Sequence, residues 1–304
     1  MHFADRLHER SRHLKSHLVV GIDPDPHRLF GPGSLLLRAY PGRDRAYLLE
    51  RFCAMALDAA EETACAIKPQ AAFFESMGVP GWQVLESLIT EARHRGVPVI
   101  LDAKRGDIGN TANAYAQAYL GAEAPLRADA LTVNPYLGPD TLEPFIQAAV
   151  KAEAGLFVLV KTSNPGSGVF QDSILSDGGT LYSKVAKAVD EAGGQYLGEC
   201  GYSNVGAVCG ATYPIELATL RKLMPRSVFL VPGYGAQGGT ARDVMEAFHP
   251  DGSGAVVSSS RGIIFAYQKQ DMSPDPQEMS SAVLRAAIAA KEDIENALSA
   301  RVGD

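Results

Sequence analysis

The most informative segment of the chain is LDAKRGDIGNT at 101–111. Side chains two apart on a strand share a face, so Asp102 and Lys104 are expected on one side, and Leu101 and Ala103 on the other. Val99 and Leu101 are apolar and suit covering helices, which leaves the two charges facing inward. Lys68 closes the preceding apolar run, ACAIKPQ, and should be a neighbour; Asp107 lies three residues past Lys104 on the following loop. The expected result is an alternating Lys–Asp–Lys–Asp array. Buried ion networks often cost as much in desolvation as they return, so four charges at one strand end point to chemistry.

Carboxylate neighbours favour a protonated lysine, whereas an imine-forming nucleophile needs a neutral amine. Lys104 therefore reads as a fixed cation and general acid. A carboxylate such as Asp102, held against an anionic substrate group, disfavours the ground state. If that group departs as a neutral product the repulsion is relieved, and the lysine can stabilise and protonate the carbanion left behind. Decarboxylation without a cofactor fits that logic.

The elements that must position these residues are short apolar runs at 18–23, 64–70, 98–104, 129–136, 155–163, 205–212, 227–235 and 254–262. Between them lie stretches with helical spacing, such as 82–96 and 218–224. Eight near-continuous apolar strands alternating with helices suit a parallel α/β architecture covered on both faces. A doubly wound open sheet has the same ingredients. The placement of polar residues favours a (β/α)₈ TIM barrel: Asp23, Lys68, Asp102, Lys104, Asn134, Ser163 and Arg261 fall at the C-terminal ends of six of these runs, where barrels gather their sites. An extra N-terminal helix is expected at about 3–15 and an extended C-terminal helix at about 279–299, with no domain boundary over 1–304. The Gly/Ser/Asp-rich stretch 164–180 reads as a lid, and 24–42 as an irregular loop.

Composition narrows the partners. The 304 residues carry 28 Lys+Arg against 35 Asp+Glu, a net charge of -7, with 46% hydrophobic and 21% charged residues. That balance excludes a disordered chain and argues against nucleic-acid binding by bulk charge. The four cysteines form no CxxC pair, and Cys65 and Cys209 sit in apolar runs as small buried hydrophobes. The N-terminal stretch is charged throughout and no apolar run nears membrane-spanning length, so a soluble, cytoplasmic protein is expected. Five of the seven histidines precede residue 28, and none sits at a strand end, which disfavours a histidine triad or zinc site. A GxGxxG at Gly233, Gly235 and Gly238 follows a strand and precedes expected helix; too little chain follows for a dinucleotide unit, so it is read as a turn admitting one phosphate.

At this point LDAKRGDIGNT resembles the DxKxxDI motif of the orotidine 5'-phosphate decarboxylase family, and the likeness runs from VVGIDPDP through IKPQAAFFE, VKTSNPGSG and VPGYGAQGG to SSSRGIIFA, with the spacing of the longer bacterial form. The resemblance implies cofactor-free conversion of orotidine monophosphate to UMP and CO₂, the last step of de novo pyrimidine synthesis. It implies that Lys104 donates the proton to C6, that Asp102 abuts the departing carboxylate, and that Lys68 holds the network and a ribose hydroxyl. Asp107 and Ile108 would reach a neighbouring subunit's site in a homodimer, with Thr111 beside it. Asp23 would bind a ribose hydroxyl, Ser163 the pyrimidine, Gln237 would link lid and phosphate, and Arg261 with the Ser260 backbone would hold the phosphate.

Three other readings compete. A magnesium-dependent lyase acting on a sugar phosphate would use Asp23, Asp102 and Asp107 as oxygen ligands. A Schiff-base aldolase would use Lys161 or Lys68. A nucleotide-binding barrel would bind without turnover.

Overall fold

The computed structural model describes residues 1–212, 214–235, 238–268 and 272–302. Eight parallel strands form the sheet: β1 (Leu18–Ile22), β2 (Ala66–Pro69), β3 (Ile100–Arg105), β4 (Ala130–Val133), β5 (Gly155–Lys161), β6 (Ser203–Cys209), β7 (Ser227–Pro232) and β8 (Ala255–Ser259). Their order is β2-β1-β8-β7-β6-β5-β4-β3. The two ends meet through bridges between Ile67 and Val99 and between Gln70 and Asp102, which close the barrel. The expected TIM barrel is therefore the observed fold, and each run identified in the sequence overlaps one strand, with β6 beginning two residues earlier at Ser203 and β3 ending one residue later at Arg105. The strands are shorter than those runs because the final polar residues leave the ladder to line the barrel mouth.

Alternation along the strands creates two cores. Val19, Ala66, Ile100, Ala130, Phe157, Leu230 and Val256 point into the barrel and pack with Phe3, Ala4 and Leu7 of the N-terminal helix Phe3–Leu14. The Phe3 ring meets Phe157 edge-on at 6.0 Å. This helix closes the N-terminal end of the barrel with apolar side chains, leaving the polar end as the open one. Leu18, Val20, Ile67, Leu101, Leu131, Val158, Phe229 and Val257 face outward into a second core shared with the surrounding helices.

One expectation about loops needs correction. The 24–42 segment is not irregular. It folds into two short helices, Pro26–Phe30 and Leu35–Ala39, whose first turns are capped by the Asp25 and Ser34 side chains. The 164–180 stretch is also structured, with turns of helix at Pro165–Ser167 and Gly168–Gln171 and a bridge between Ile174 and Thr180. In 24–42 the short polar residues Asp25 and Ser34 act as local caps, a role that composition alone does not separate from loop. The final helix, Pro276–Val302, packs against the helix Arg45–Thr63. Among the described residues no helix is long and apolar enough to cross a membrane.

Candidate active site

A cavity of about 960 Å³ opens at the C-terminal ends of the strands, within the size range of small-molecule sites. Asp23, Lys68, Asp102, Lys104, Asn134, Ser163, Ser260 and Arg261 all line it, from the ends of β1, β2, β3, β4, β5 and β8 or the loops beyond them.

Asp102 is the hub. Its Oδ2 accepts from Lys68 Nζ at 2.9 Å and from Gln70 Nε2 at 3.1 Å. Its Oδ1 accepts from Lys104 Nζ at 2.6 Å and from Thr132 Oγ1 at 3.0 Å. Four donors on two oxygens fix the carboxylate in place. Burial alone pushes the Asp102 carboxyl up, but the charges of Lys68 and Lys104 and their hydrogen bonds overcome it and hold it well below the usual carboxylate range. For Lys68, burial opposes the charge, and the Asp102 and Asp23 carboxylates outweigh that and raise its pKa. Lys68 is 6% exposed and the Lys104 side chain 45%. One cation is therefore built into the wall, while the other extends into the open cavity.

Lys104 reaches this position through an unusual backbone. It has φ +48°, the left-handed region that a side-chain-bearing residue adopts at a cost, and the β3–β4 register shifts between Leu101 and Arg105. Its amide donates to Thr132 Oγ1 at 2.9 Å. Simple alternation correctly places both charges inward but does not anticipate this bulge. A second bulge, between Leu159 and Lys161 on β5, turns Lys161 away from the cavity, where it pairs with Asp172 of the 164–180 segment and lies over the Tyr182 ring.

On the β1 side of Lys68, Asp23 Oδ2 accepts from Ser260 Oγ at 2.6 Å, while Asp23 Oδ1 is buried without a protein hydrogen-bond partner. The close approach of these loops is possible because residue 21 is glycine; a Cβ there would sit 2.7 Å from Ser260 Cβ. Arg261 opens the short helix Arg261–Ile264 beside Gly233 and Tyr234. Gly233, Gly235 and Gly238 all have positive φ, which explains the glycine spacing, but only the one-turn helix Ala241–Val244 follows them. Gly233 lines the cavity, the Gly235 amide donates to the Gly239 carbonyl at 2.8 Å, and the Gly238 amide donates to the Gly235 carbonyl at 3.0 Å. Gln237 lies outside the described residues. Asn134 lines the cavity and turns its own loop, its Oδ1 accepting from the Tyr136 amide at 3.0 Å.

Asp107, Ile108 and Thr111 do not line the cavity of their own chain. Asp107 Oδ1 accepts from the Ile108 amide at 2.8 Å, Ile108 is 62% exposed, and Thr111 is exposed on the helix Gly109–Leu120. The expected four-charge array is thus corrected: within one chain Lys68, Asp102 and Lys104 form a triad, Asp23 flanks Lys68, and Asp107 stands apart because β3 ends before it. Gln70 and Thr132 were not anticipated, although each sits two residues from a residue that was, Lys68 and Asn134, so the strand period could have found them.

The same geometry bears on the competing readings. Asp23, Asp102 and Asp107 do not converge, and among the described residues no three His, Cys, Asp or Glu side chains form a group that could hold a metal ion. Lys161 is 1% exposed, carries the Asp172 ion pair and is not part of the cavity lining, so it is badly placed for imine formation.

A (β/α)₈ barrel with a lysine–carboxylate–lysine triad at the C-terminal mouth of its strands defines a class: a TIM-barrel protein with a charged small-molecule site at that mouth. Residues 16–272 match the model of the Orotidine 5'-phosphate decarboxylase / HUMPS family. The orotidine 5'-phosphate decarboxylase of Rhodopirellula baltica is 46% identical over 97% of this chain and 99% of its own. That of Haloarcula marismortui is 48% identical over 88% of each. The structure of Leishmania donovani OMP decarboxylase superposes with a TM-score of 0.75 at 34% identity, covering 98% of this chain and 99% of the other. The chain belongs to this family, on its decarboxylase side, and is a carboxy-lyase.

Proposed function

We propose that this chain converts orotidine 5'-phosphate to UMP and CO₂ without a cofactor, as the last step of de novo pyrimidine synthesis, and that the whole chain acts as one catalytic domain. The observation that carries the reading is the saturation of Asp102 by Lys68, Lys104, Gln70 and Thr132. A carboxylate held by four donors cannot swing away from an incoming anion. The substrate carboxylate beside it is destabilised until the C6–carboxylate bond breaks and neutral CO₂ leaves. The electron pair remaining on C6 faces the Lys104 ammonium, which stabilises it and then donates the proton. The triad's net positive charge tolerates one substrate carboxylate while Asp102 supplies the local repulsion.

The remaining roles follow from position. Asp23 Oδ1, buried and lacking a protein partner, suits a ribose hydroxyl donor, and the Asp23 carboxylate helps keep the neighbouring Lys68 charged. Arg261 and the Ser260 backbone suit the phosphate, with Gln237 assigned to link lid and phosphate, and Ser163 at the base of the lid suits the pyrimidine. Asp107, Ile108 and Thr111 face away from their own cavity, and exposed Ile108, Tyr136 and Leu137 share this end of the barrel. This supports a homodimer in which Asp107 and Ile108 complete the partner's site. A cytoplasmic location accords with this reading.

The test is orotidine monophosphate turnover followed by pyrimidine absorbance with EDTA present, comparing wild type with Lys104→Ala. EDTA-resistant turnover that disappears in the variant supports reaction and proton donor together. No turnover by folded wild-type protein refutes the assignment.

A further inference from the structure

Lys104 stands in a strained backbone, and the residue that follows it makes an unusually complete set of contacts on the opposite side of the strand. Arg105 points away from the cavity. Its Nε and Nη2 donate to the Tyr119 hydroxyl at 3.2 and 3.0 Å, and Nη2 also pairs with Glu75 Oε1. The guanidinium lies 5.6 and 5.5 Å from the Tyr115 and Tyr119 ring centres, within cation–π range. Tyr115 and Tyr119 belong to the helix after β3, and Glu75 ends the helix Ala71–Glu75 that begins directly after Gln70, itself a donor to Asp102. On the backbone, the Arg105 carbonyl accepts from the Asn134 amide at 2.8 Å, one residue past the Lys104–Thr132 bond.

We propose that Arg105 is a positioning residue for the reaction: it clamps the β3 bulge between the helices that follow β2 and β3, so that Lys104 stays left-handed with its ammonium on Asp102. The physical need is specific. A left-handed lysine relaxes toward ordinary strand geometry unless the residues beside it are over-determined. Relaxation at residue 104 swings a long side chain through several ångströms at its tip. The planar fork of arginine meets Glu75 and Tyr119 from a fixed direction while its face meets the two rings, which the point charge of lysine cannot reproduce. The clamp also fixes the start of the 106–111 segment, where a Cβ on Gly106 would lie 2.9 Å from the Asn134 carbonyl oxygen.

The inference rests on the proposed decarboxylation for its kinetic readout and has a second readout that does not. Arg105→Lys and the milder Tyr119→Phe, which keeps the buried ring, are compared with wild type at a temperature where all are folded. Misplacement of a reacting group by about 1 Å costs roughly 100-fold, so kcat for Arg105→Lys should fall by roughly 10- to 100-fold, and for Tyr119→Phe by about 3- to 10-fold. KM and the UMP dissociation constant should stay within about threefold, because the phosphate and ribose contacts are remote from the clamp. Unchanged kcat in both variants, or a KM that rises as far as kcat falls, overturns the proposal and leaves Arg105 as plain packing. If the wild type itself fails to turn over orotidine monophosphate, the functional reading falls and the clamp is judged by hydrogen exchange at the Lys104 amide. Exchange about tenfold faster in Arg105→Lys, with barrel-core amides unchanged, supports it, and an unaltered Lys104 rate overturns it.

Discussion

Replacing Asp102 with asparagine tests how much the triad depends on charge as distinct from shape. Each carboxylate oxygen accepts from one lysine and one neutral donor, so an amide can keep only half of the arrangement. With its NH₂ toward Lys68 and Gln70, it would set donor against donor beside a buried ammonium. With its NH₂ toward Lys104 and Thr132, Lys104 can swing into the open cavity, and this second orientation is the cheaper one. Lys68 then keeps a hydrogen bond to a neutral oxygen but loses its direct counter-charge, with only Asp23 left nearby. Losing one buried ion pair is worth about 3–5 kcal/mol, and the retained hydrogen bond and Asp23 reduce this to about 2–4 kcal/mol. Urea unfolding at neutral pH should show Asp102→Asn less stable by that amount. Because the folded Asp102 pKa is depressed, its contribution is complete above the ordinary carboxylate pKa of about 4 and is lost as pH falls below it; the gap between the proteins should therefore narrow only in acid. Turnover should fall by roughly 100-fold or more, since Lys104 loses its aim and the substrate loses the repulsive neighbour. A variant within about 1 kcal/mol of wild type, or one with kcat within about threefold, would refute the reasoning.

Three further outcomes are expected. Arg261→Ala should mainly raise KM and Lys104→Ala mainly abolish kcat, because Arg261 sits at the rim and Lys104 on the triad; steady-state kinetics showing equal kcat losses at unchanged KM in both would contradict this division. Lys104→Gly should be more stable than Lys104→Ala by about 1 kcal/mol, reversing the usual order, because only glycine accepts φ +48° without penalty; urea midpoints check it, and alanine equal or better would mean the bulge relaxes freely. Cys65 and Cys200 should resist alkylation at pH 8 in the native protein, since burial, joined for Cys200 by the Asp5 hydrogen bond, pushes both thiols up to about 12; mass spectrometry finding rapid native labelling would count against it.

Much of this protein was legible from residue order. Parallel strands covered on both faces must be apolar nearly throughout, so the eight runs announced themselves, and the polar residues ending them stood out as Asp23, Lys68, Asp102, Lys104 and Arg261. Local alternation sufficed to turn Asp102 and Lys104 to the same side. Tertiary structure decided what depends on how distant strands align. That Gln70 and Thr132 meet on one carboxylate follows from the registers of β2, β3 and β4, which no single strand encodes. The left-handed turn at Lys104 and the outward turn of Lys161 arise from bulges: β3 carries two extra residues against β4 between Leu101 and Arg105, and β5 one extra residue against β6 between Leu159 and Lys161. Asp107 was expected in the array on spacing alone, and the chain's departure from the sheet after Arg105 carries it elsewhere. Residue types and periodicity are local properties and can be read in order. The angle at which a backbone leaves a strand is set by contacts with residues far away in the chain, and here it separates an ion triad from a set of nearby charges.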